Sequence, residues 1–433
     1  MTAPHGSRGV PGRAPGLTTG DAGRVGRTTG QATARILTVL CVVVALCAPY
    51  IGIELSRSST GSAARVRTFN HPLELATGAA ASTGSLPQPL TPAMLLKAYR
   101  IDELHAQGLL GQGRTVIIPA IDKLDVSYLD AFDATNQLPA AKIVQFGTPS
   151  TQDLVEVNMD VQIVHAVAPQ AKIVVVNMDG EAGRLGGWAQ VINDYSQKYP
   201  SAVWTWSIGF CETDDTGESH SVADALQRSV AAGAVHFAAS GDSGGYDCYS
   251  NSALNDPPRD EYRGGILPST APAVTSVGGT RLILDSSGRP QKEVTWYEPA
   301  VLLGAGGGPS RVFSGRTAPD VAADADPATG MIFVCGRDQS CAAGGTSASS
   351  PFWAGLGALL QQDLSTRKLG TLSPFNDRLA KVGASAKPGT FRHPQYGFNA
   401  VAVTGKGHDA VTGWGAPDAI LLEAELRRVV AAR

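Results

Sequence analysis

The chain of 433 residues carries 35 basic and 38 acidic side chains, a formal net charge of −3. A balance this close to neutral leaves no electrostatic footprint for a nucleic-acid partner. With 50 glycines and only 17 % charged residues, the composition suits a loop-rich α/β protein of one large or two ordinary domains better than a helical bundle.

Taken in chain order, residues 1–35 are rich in Gly, Arg and Thr and read as a disordered tail. Ile36 to Ile53, ILTVLCVVVALCAPYIGI, runs eighteen residues without a charge, enough to cross a bilayer. Segment 36–55 therefore reads as a transmembrane anchor or a signal segment. Arg8, Arg13, Arg24, Arg27 and Arg35 precede it against one acid, Asp21, which favours an inside N-terminus. Pro49 shortens the strongest apolar stretch to thirteen residues, the argument for a cleaved signal peptide instead. Either reading exports the rest of the chain, held outside on a single span or secreted. Residues 56–90, with many Ser, Thr, Ala, Gly and Pro, read as a linker, and 91–431 as one folded domain.

Inside that domain the runs 115–122 (TVIIPAID), 142–146 (KIVQF), 172–178 (KIVVVNM), 202–207 (AVWTWS) and 235–240 (VHFAAS) are short and apolar, as buried parallel strands are. Helical patterns lie between them at 185–199 and 222–233, the second closed by Gly233 as a C-cap. This βαβ alternation predicts a parallel sheet with helices on both faces. Of the six cysteines, Cys41 and Cys47 lie in the apolar segment. The others read as the pairs Cys211–Cys248 and Cys335–Cys341, in keeping with an oxidising compartment. No C-x-x-C spacing or nearby histidine supports zinc.

The stretch GGTSASSP, 344–351, places Ser347 where a helix is expected to open, with Pro351 in its first turn. Small neighbours at a strand-to-helix turn suit a nucleophile. None of the eight histidines, His5, His71, His105, His165, His220, His236, His393 and His408, has the small-residue helical context of a catalytic base. His165, in an apolar helical run, and His236, in a strand, read as structural. Carboxylates are better candidates. Glu156 and Asp160 are four residues apart, which on a helix puts both on one face. The flanking Val157, Met159, Val161, Ile163 and Val164 suggest burial, and a buried acid pair shares protons so that one member can act as a base. Asp153 lies on a similar face and competes on geometry. In AASGDSGG, 238–245, Asp242 sits at the tip of a Gly-rich turn ending a strand, where open α/β sheets bind ligands. Protonated, it could donate to an oxyanion; the alternative is an Asp that satisfies turn amides.

These pieces in this order, Glu156, Asp160, then Ser240-Gly241-Asp242, then Gly345-Thr346-Ser347, resemble the sedolisin family of serine-carboxyl peptidases, which have a subtilisin-like fold. LTPAMLLKAYRID (90–102), APQAKIVVV (168–176), PSTAPAVTSVGGT (268–280), GAGGGPSRVF (304–313), PDVAADADPATG (319–330) and TGWGAPD (412–418) extend the resemblance over about residues 90–430. The resemblance implies an acid-active peptidase taking peptide or protein substrates. In it Ser347 attacks the carbonyl, Glu156 accepts its proton, Asp160 orients Glu156, and Asp242 stabilises the oxyanion. It also implies that Gly306, Gly307 and Gly308 let an extended substrate backbone approach closely; the alternative is a simple flexible loop.

Three departures stand out. The large N-terminal propeptide usual in the family is replaced by the short linker. The family's C-terminal calcium site would fall on Val401, Gly405, Gly407 and Asp409, but Ala400 stands where its first aspartate is expected. Losing one carboxylate weakens a calcium site, so a hydrogen-bonded loop is the alternative. Ile208 takes the place of the usual aromatic in the strand beside the site, which bears on substrate preference. A catalytically silent relative that binds an exported peptide or protein is the competing function. The oligomeric state stays open.

Overall fold

The computed structural model describes residues 66–68, 71–75, 88–149, 151, 155–178, 187–248, 263–299, 302–385 and 387–432. The expected tail and the apolar segment at 36–55 lie outside the described residues, as does Asp153. Among the described residues no helix is long and apolar enough to cross a membrane.

The elements used below are, in chain order, β1 (Arg67–Thr68), β2 (Leu73–Glu74), α1 (Pro92–Ala98), α2 (Ile101–Ala106), β3 (Thr115–Ala120), α3 (Val126–Asn136), β4 (Lys142–Phe146), α4 (Glu156–Val167), β5 (Lys172–Asn177), α5 (Trp188–Lys198), β6 (Val203–Trp206), β7 (Ile208–Cys211) and α6 (Thr216–Ala231). They continue as β8 (Val235–Ala239), β9 (Ile266–Leu267), β10 (Thr275–Leu284), β11 (Pro290–Thr295), β12 (Val321–Asp324), β13 (Ile332–Gly336), β14 (Gln339–Ala342), α7 (Thr346–Thr366), α8 (Phe375–Ser385) and α9 (Ala419–Ala431). The central sheet of eight strands runs β11-β10-β8-β6-β3-β5-β4, with β12 also paired to β10. Every ladder in it is parallel except β10–β11. The sheet expected from the apolar runs is thus present, and each run maps onto one of its strands.

Alternation along β3 shows how the sheet is buried on both faces. Val116 and Ile118 join one apolar layer with Val164 of α4 and Leu359 of α7, whereas Ile117 joins the other with Trp188 of α5 and Leu226 of α6. Successive strand side chains point to opposite faces, and each buried Val, Leu or Ile contributes about 1.5–3 kcal/mol. Close packing needs glycine on α7: a Cβ on Gly355 would fall 2.7 Å from Val167 of α4, and one on Gly357 2.8 Å from Phe237 of β8. Helix α6 starts on the Asp215 side chain, which accepts from the Glu218 N–H, and Gly233 follows its end at φ +111°. Both cysteine pairs are bonded as expected.

The stretch read as a linker is partly built into this domain. β1 pairs antiparallel with β7, Arg67 opposite Gly209, and β2 pairs antiparallel with β14, Leu73 opposite Ala342. Strands two residues long show no alternation to read, and their contribution lies in backbone N–H and C=O groups that any sequence carries.

Candidate active site

The chemically interesting residues gather at the C-terminal ends of the parallel strands, the end at which such sheets bind ligands. Glu156 opens α4 and Asp160 lies one turn on, so both project from one face, 2 % and 1 % exposed. The N-terminus of α4 is capped from β3: Asp122, just past that strand, accepts the Val157 N–H on Oδ2 at 2.9 Å. A carboxylate there also suits the helix dipole. Asp160 Oδ1 accepts from Ser207 Oγ at 2.9 Å. Burial pushes its carboxyl well above the usual range, and the nearby Asp122 charge adds to the rise. The hydrogen bonds with Ser207 and Glu156 oppose it.

Ser347 is the second residue of α7 and fully buried, its Oγ donating to Ser207 O at 3.2 Å. Pro351 is not in the first turn of α7 but is its sixth residue. Having no N–H, it cannot bond the carbonyl four residues back, which is that of Ser347. Ser207 Oγ lies 3.4 Å from that freed carbonyl oxygen. The single hydroxyl proton of Ser207 goes to the shorter contact with Asp160. Ser207 thus ties α4 to α7 across the end of β6.

Asp242 follows β8 in a turn that glycine makes possible: Gly241 has φ +110°, and a Cβ on it would fall 2.3 Å from Asp247 Cγ. Its Oδ1 accepts from the Thr346 N–H at 2.8 Å and Thr346 Oγ1 at 2.7 Å, so it is positioned by the residue before Ser347. Its Oδ2 is buried and lies 3.3 Å from His71 Nε2. Burial raises this carboxyl to about 7, against which the two Thr346 donors act. The histidines read as structural are so: His236 lies between Trp206 Nε1 and Ser229 Oγ, and His165 Nε2 lies 2.8 Å from Pro139 O.

The glycine run packs behind this turn. A Cβ on Gly306 would fall 2.2 Å from Asp247 Oδ2, and one on Gly307 2.5 Å from Ala410 O. Close approach is needed at these two positions, but the partner is the protein's own backbone and turn. Ile208 is 1 % exposed and belongs to the apolar layer of Trp204, Trp206 and Phe210.

At the candidate calcium residues, Asp409 Oδ1 accepts the N–H groups of Val411 and Thr412 at 2.9 and 2.8 Å. Its Oδ2 accepts from Gly405 N at 2.8 Å and lies 3.0 Å from His393 Nε2. Burial alone would raise Asp409, but His393 and the amides outweigh it and hold the carboxyl below its usual range. Calcium needs six to eight oxygen ligands. Here the carboxylate is surrounded by N–H donors and a histidine, so these residues do not fit the ion. No group of three or more His, Cys, Asp or Glu that could hold a metal occurs among the described residues.

Three participants escaped the sequence reading. Asp122 and Ser207 each end a strand of the central sheet, and that position was the available signal. His71, from the stretch read as a linker, places Nε2 3.3 Å from Asp242 Oδ2, and nothing in its local sequence marks it.

A mostly parallel sheet with a serine opening a buried helix and carboxyls gathered near the strand ends has the form of a subtilisin-like scaffold. Comparison with known proteins agrees. The model of the Subtilase family matches residues 141–375. Kumamolisin of Bacillus sp. (strain MN-32) is 32 % identical over 385 residues, covering 79 % of this chain and 64 % of that protein. Sedolisin of Pseudomonas sp. (strain 101) is 30 % identical over 272 residues, 58 % of this chain and 45 % of that protein. The chain therefore spans less than two thirds of the length of these curated relatives. The solved structure of Pseudomonas sedolisin, a serine-carboxyl proteinase complexed with two molecules of pseudo-iodotyrostatin, superposes with a TM-score of 0.65 at 24 % identity. It covers 81 % of this chain and 99 % of that one. The chain belongs to the subtilase family, and to its sedolisin branch.

Proposed function

We propose that this protein is a serine-carboxyl endopeptidase that hydrolyses peptide bonds at acid pH. Ser347 Oγ attacks the carbonyl carbon while Glu156 takes its proton, with Asp160 holding Glu156 in place. Neutral Asp242 donates from Oδ2 to the oxygen that becomes negative. When the tetrahedral intermediate collapses, the C–N bond breaks and Glu156 returns the proton to the leaving amine. Water, activated by Glu156, then releases the acyl group from Ser347. Kumamolisin and sedolisin are the relatives that support this class.

The observation that carries the reading is Asp242. Its Oδ1 is satisfied by Thr346, its Oδ2 has the His71 imidazole at 3.3 Å, and burial raises the carboxyl to about 7. A carboxyl that stays protonated below that pH is a donor, and it ceases to be one as pH rises through that value. The expectation is cleavage of a mixed peptide library from about pH 3 upward that fades towards pH 7, lost in Ser347→Ala. Asp242→Asn, which cannot ionise, should flatten the neutral limb while lowering the rate. A well-folded protein that cleaves nothing at any pH would replace this reading with a peptide-binding role.

Export belongs to the same proposal, supported by the uncharged run 36–53 and by two disulfides, which persist in oxidising compartments. Retention in membranes after an alkaline wash supports an anchor, whereas release of a shortened chain into the medium supports a cleaved signal. No calcium ion enters the mechanism.

A further inference from the structure

Exposed apolar side chains are concentrated in one loop. Of the four large apolar residues that stand exposed among the described residues, Tyr396 at 86 %, Phe398 at 47 % and Val403 at 72 % fall within 396–403. Apolar side chains scattered singly over a surface need no explanation, but a group of them does. The backbone of the loop holds them out. Phe398 and Val403 face each other across an antiparallel bridge, and the Thr404 N–H donates to Gly397 O at 2.9 Å. Residues opposite each other on such a bridge put their side chains on one face, and Tyr396 precedes Phe398 by the two residues that separate neighbours on a strand face. Asn399 turns inward instead. It is 1 % exposed, and its Oδ1 accepts from the Ala402 N–H at 3.0 Å.

The loop is also free of acids. From Arg378 to His408 the chain carries Arg378, Lys381, Lys387, Arg392 and Lys406 but no Asp or Glu. Arg378 is buried and Arg392 is paired with Glu293, whereas Lys381, Lys387 and Lys406 are exposed. A ring with a polar tip, apolar neighbours and cations without acids between them suit a lipid–water interface, where Tyr sits among headgroups and Lys meets anionic lipids. Side chains as exposed as Tyr396 and Val403 project, and a concave ligand site would enclose them more deeply.

The position of the loop agrees with this. The Gly245 N–H donates to Asn399 O at 2.8 Å, and Arg67 Nη1 donates to Asp247 O at 2.9 Å, so the loop and β1 meet the same turn after β8. Only residues 54–65 separate the uncharged run 36–53 from Val66, a reach of at most about 45 Å. A run held in a bilayer, the anchor reading above, would keep this turn and its loop within that reach of the surface.

We propose that the loop 396–406 docks on an anionic lipid surface, with Tyr396, Phe398 and Val403 at the boundary of headgroups and acyl chains and Lys406 on the lipid phosphates. The proposal draws support from the anchor reading, but its residues and its test are separate. Because the loop packs on the turn that carries Asp242, docking would present the proposed peptidase site to chains held at the same surface.

The test uses the full chain carrying Ser347→Ala, with a site-specific protease sequence inserted between residues 56 and 64. Cutting the folded protein frees the domain from the uncharged run, and its sedimentation with vesicles is then measured. Vesicles of phosphatidylcholine mixed with phosphatidylglycerol should carry it down, vesicles of phosphatidylcholine alone much less, and high salt should shrink the difference. Tyr396→Ser should weaken partitioning about tenfold, and Lys406→Glu about fivefold. Tyr396→Trp, which keeps a ring suited to the interface, should bind at least as well as the parent. All three positions are exposed, so thermal midpoints should match the parent, which separates lost binding from lost fold. Absent partitioning, equal binding to both vesicles, or indifference to Tyr396→Ser and Lys406→Glu overturns the proposal. So does a result in which these changes raise KM for soluble peptides in the Ser347 form and leave vesicle binding alone. Uncut chain that resists an alkaline wash while the cut domain stays in solution would keep the anchor and end the loop proposal. The reverse result would end the anchor and uphold the loop.

Discussion

Asp242 and Asp409 are both held in tight glycine-containing turns, and the two carboxyls go opposite ways. At Asp242 two donors from Thr346 converge on one oxygen and the other has only the His71 imidazole at 3.3 Å, so burial dominates and the pKa rises to about 7. At Asp409 both oxygens are occupied, by three amides and His393, and the carboxyl is held below its usual range. Burial pushes both carboxyls up, Asp242 being buried and Asp409 half-buried, and the donors set against it differ. The balance between burial and the number of donors over the two oxygens decides the charge. The arrangement with fewer donors belongs to the proposed chemistry and the other to a hydrogen-bonded loop.

The largest way to sharpen this contrast is pH. Asp242 rises from 3.8 to about 7 on folding, so between those values the folded protein binds a proton that the unfolded chain has released. Stability should therefore fall as pH rises from about 4 to about 7, by up to about 4 kcal/mol from this group. Denaturant midpoints across that range measure it. Asp242→Asn should remove part of the slope, leaving the part due to Asp160, Asp247 and Asp324, which burial also raises. An unchanged slope in the variant would break the comparison at its Asp242 end.

Next in size is Asp409→Ala, which strands the amides of Gly405, Val411 and Thr412 together with His393. We expect a loss of about 3 kcal/mol at pH 6. Asp242→Asn at the same pH should cost less than about 1 kcal/mol, since it removes a carboxyl whose ionisation burial opposes. Equal costs would mean that the two turns do not differ as described. The smallest expected effect is that of a chelator. With Asp409 filled by N–H donors, EDTA should leave the thermal midpoint unchanged. A fall equivalent to more than about 1 kcal/mol would show a bound ion that stabilises the fold.

How much was legible follows from which physics wrote each feature. Five of the eight strands of the central sheet, β3, β4, β5, β6 and β8, were readable because burial on both faces requires uninterrupted apolar runs. Glu156 and Asp160 were readable because helical spacing fixes their common face, and Ser347 and Asp242 because glycine and small residues mark turns. Pro351 was placed one turn too early because helix starts carry an uncertainty of a residue or more. Its consequence, the freed Ser347 carbonyl near Ser207, depends on β6 arriving from far away in sequence. His71 and Arg67 sit among Ser, Thr and Ala, and their place follows from backbone pairing that composition does not encode. The same holds for His393, sixteen residues before Asp409, where only the folded loop brings imidazole to carboxylate.

β7 lies between β1 and β9 in a small three-stranded sheet. Without β1, the N–H and C=O groups of Ile208 and Gly209 that face it would lie on an open edge, and an open edge is a template for any extended chain, including a second copy of this one. The few residues of β1 thus also bear on colloidal behaviour. A preparation that has lost them should scatter more light with time and concentration than the intact chain, and a short strand-forming peptide added in excess should suppress that growth.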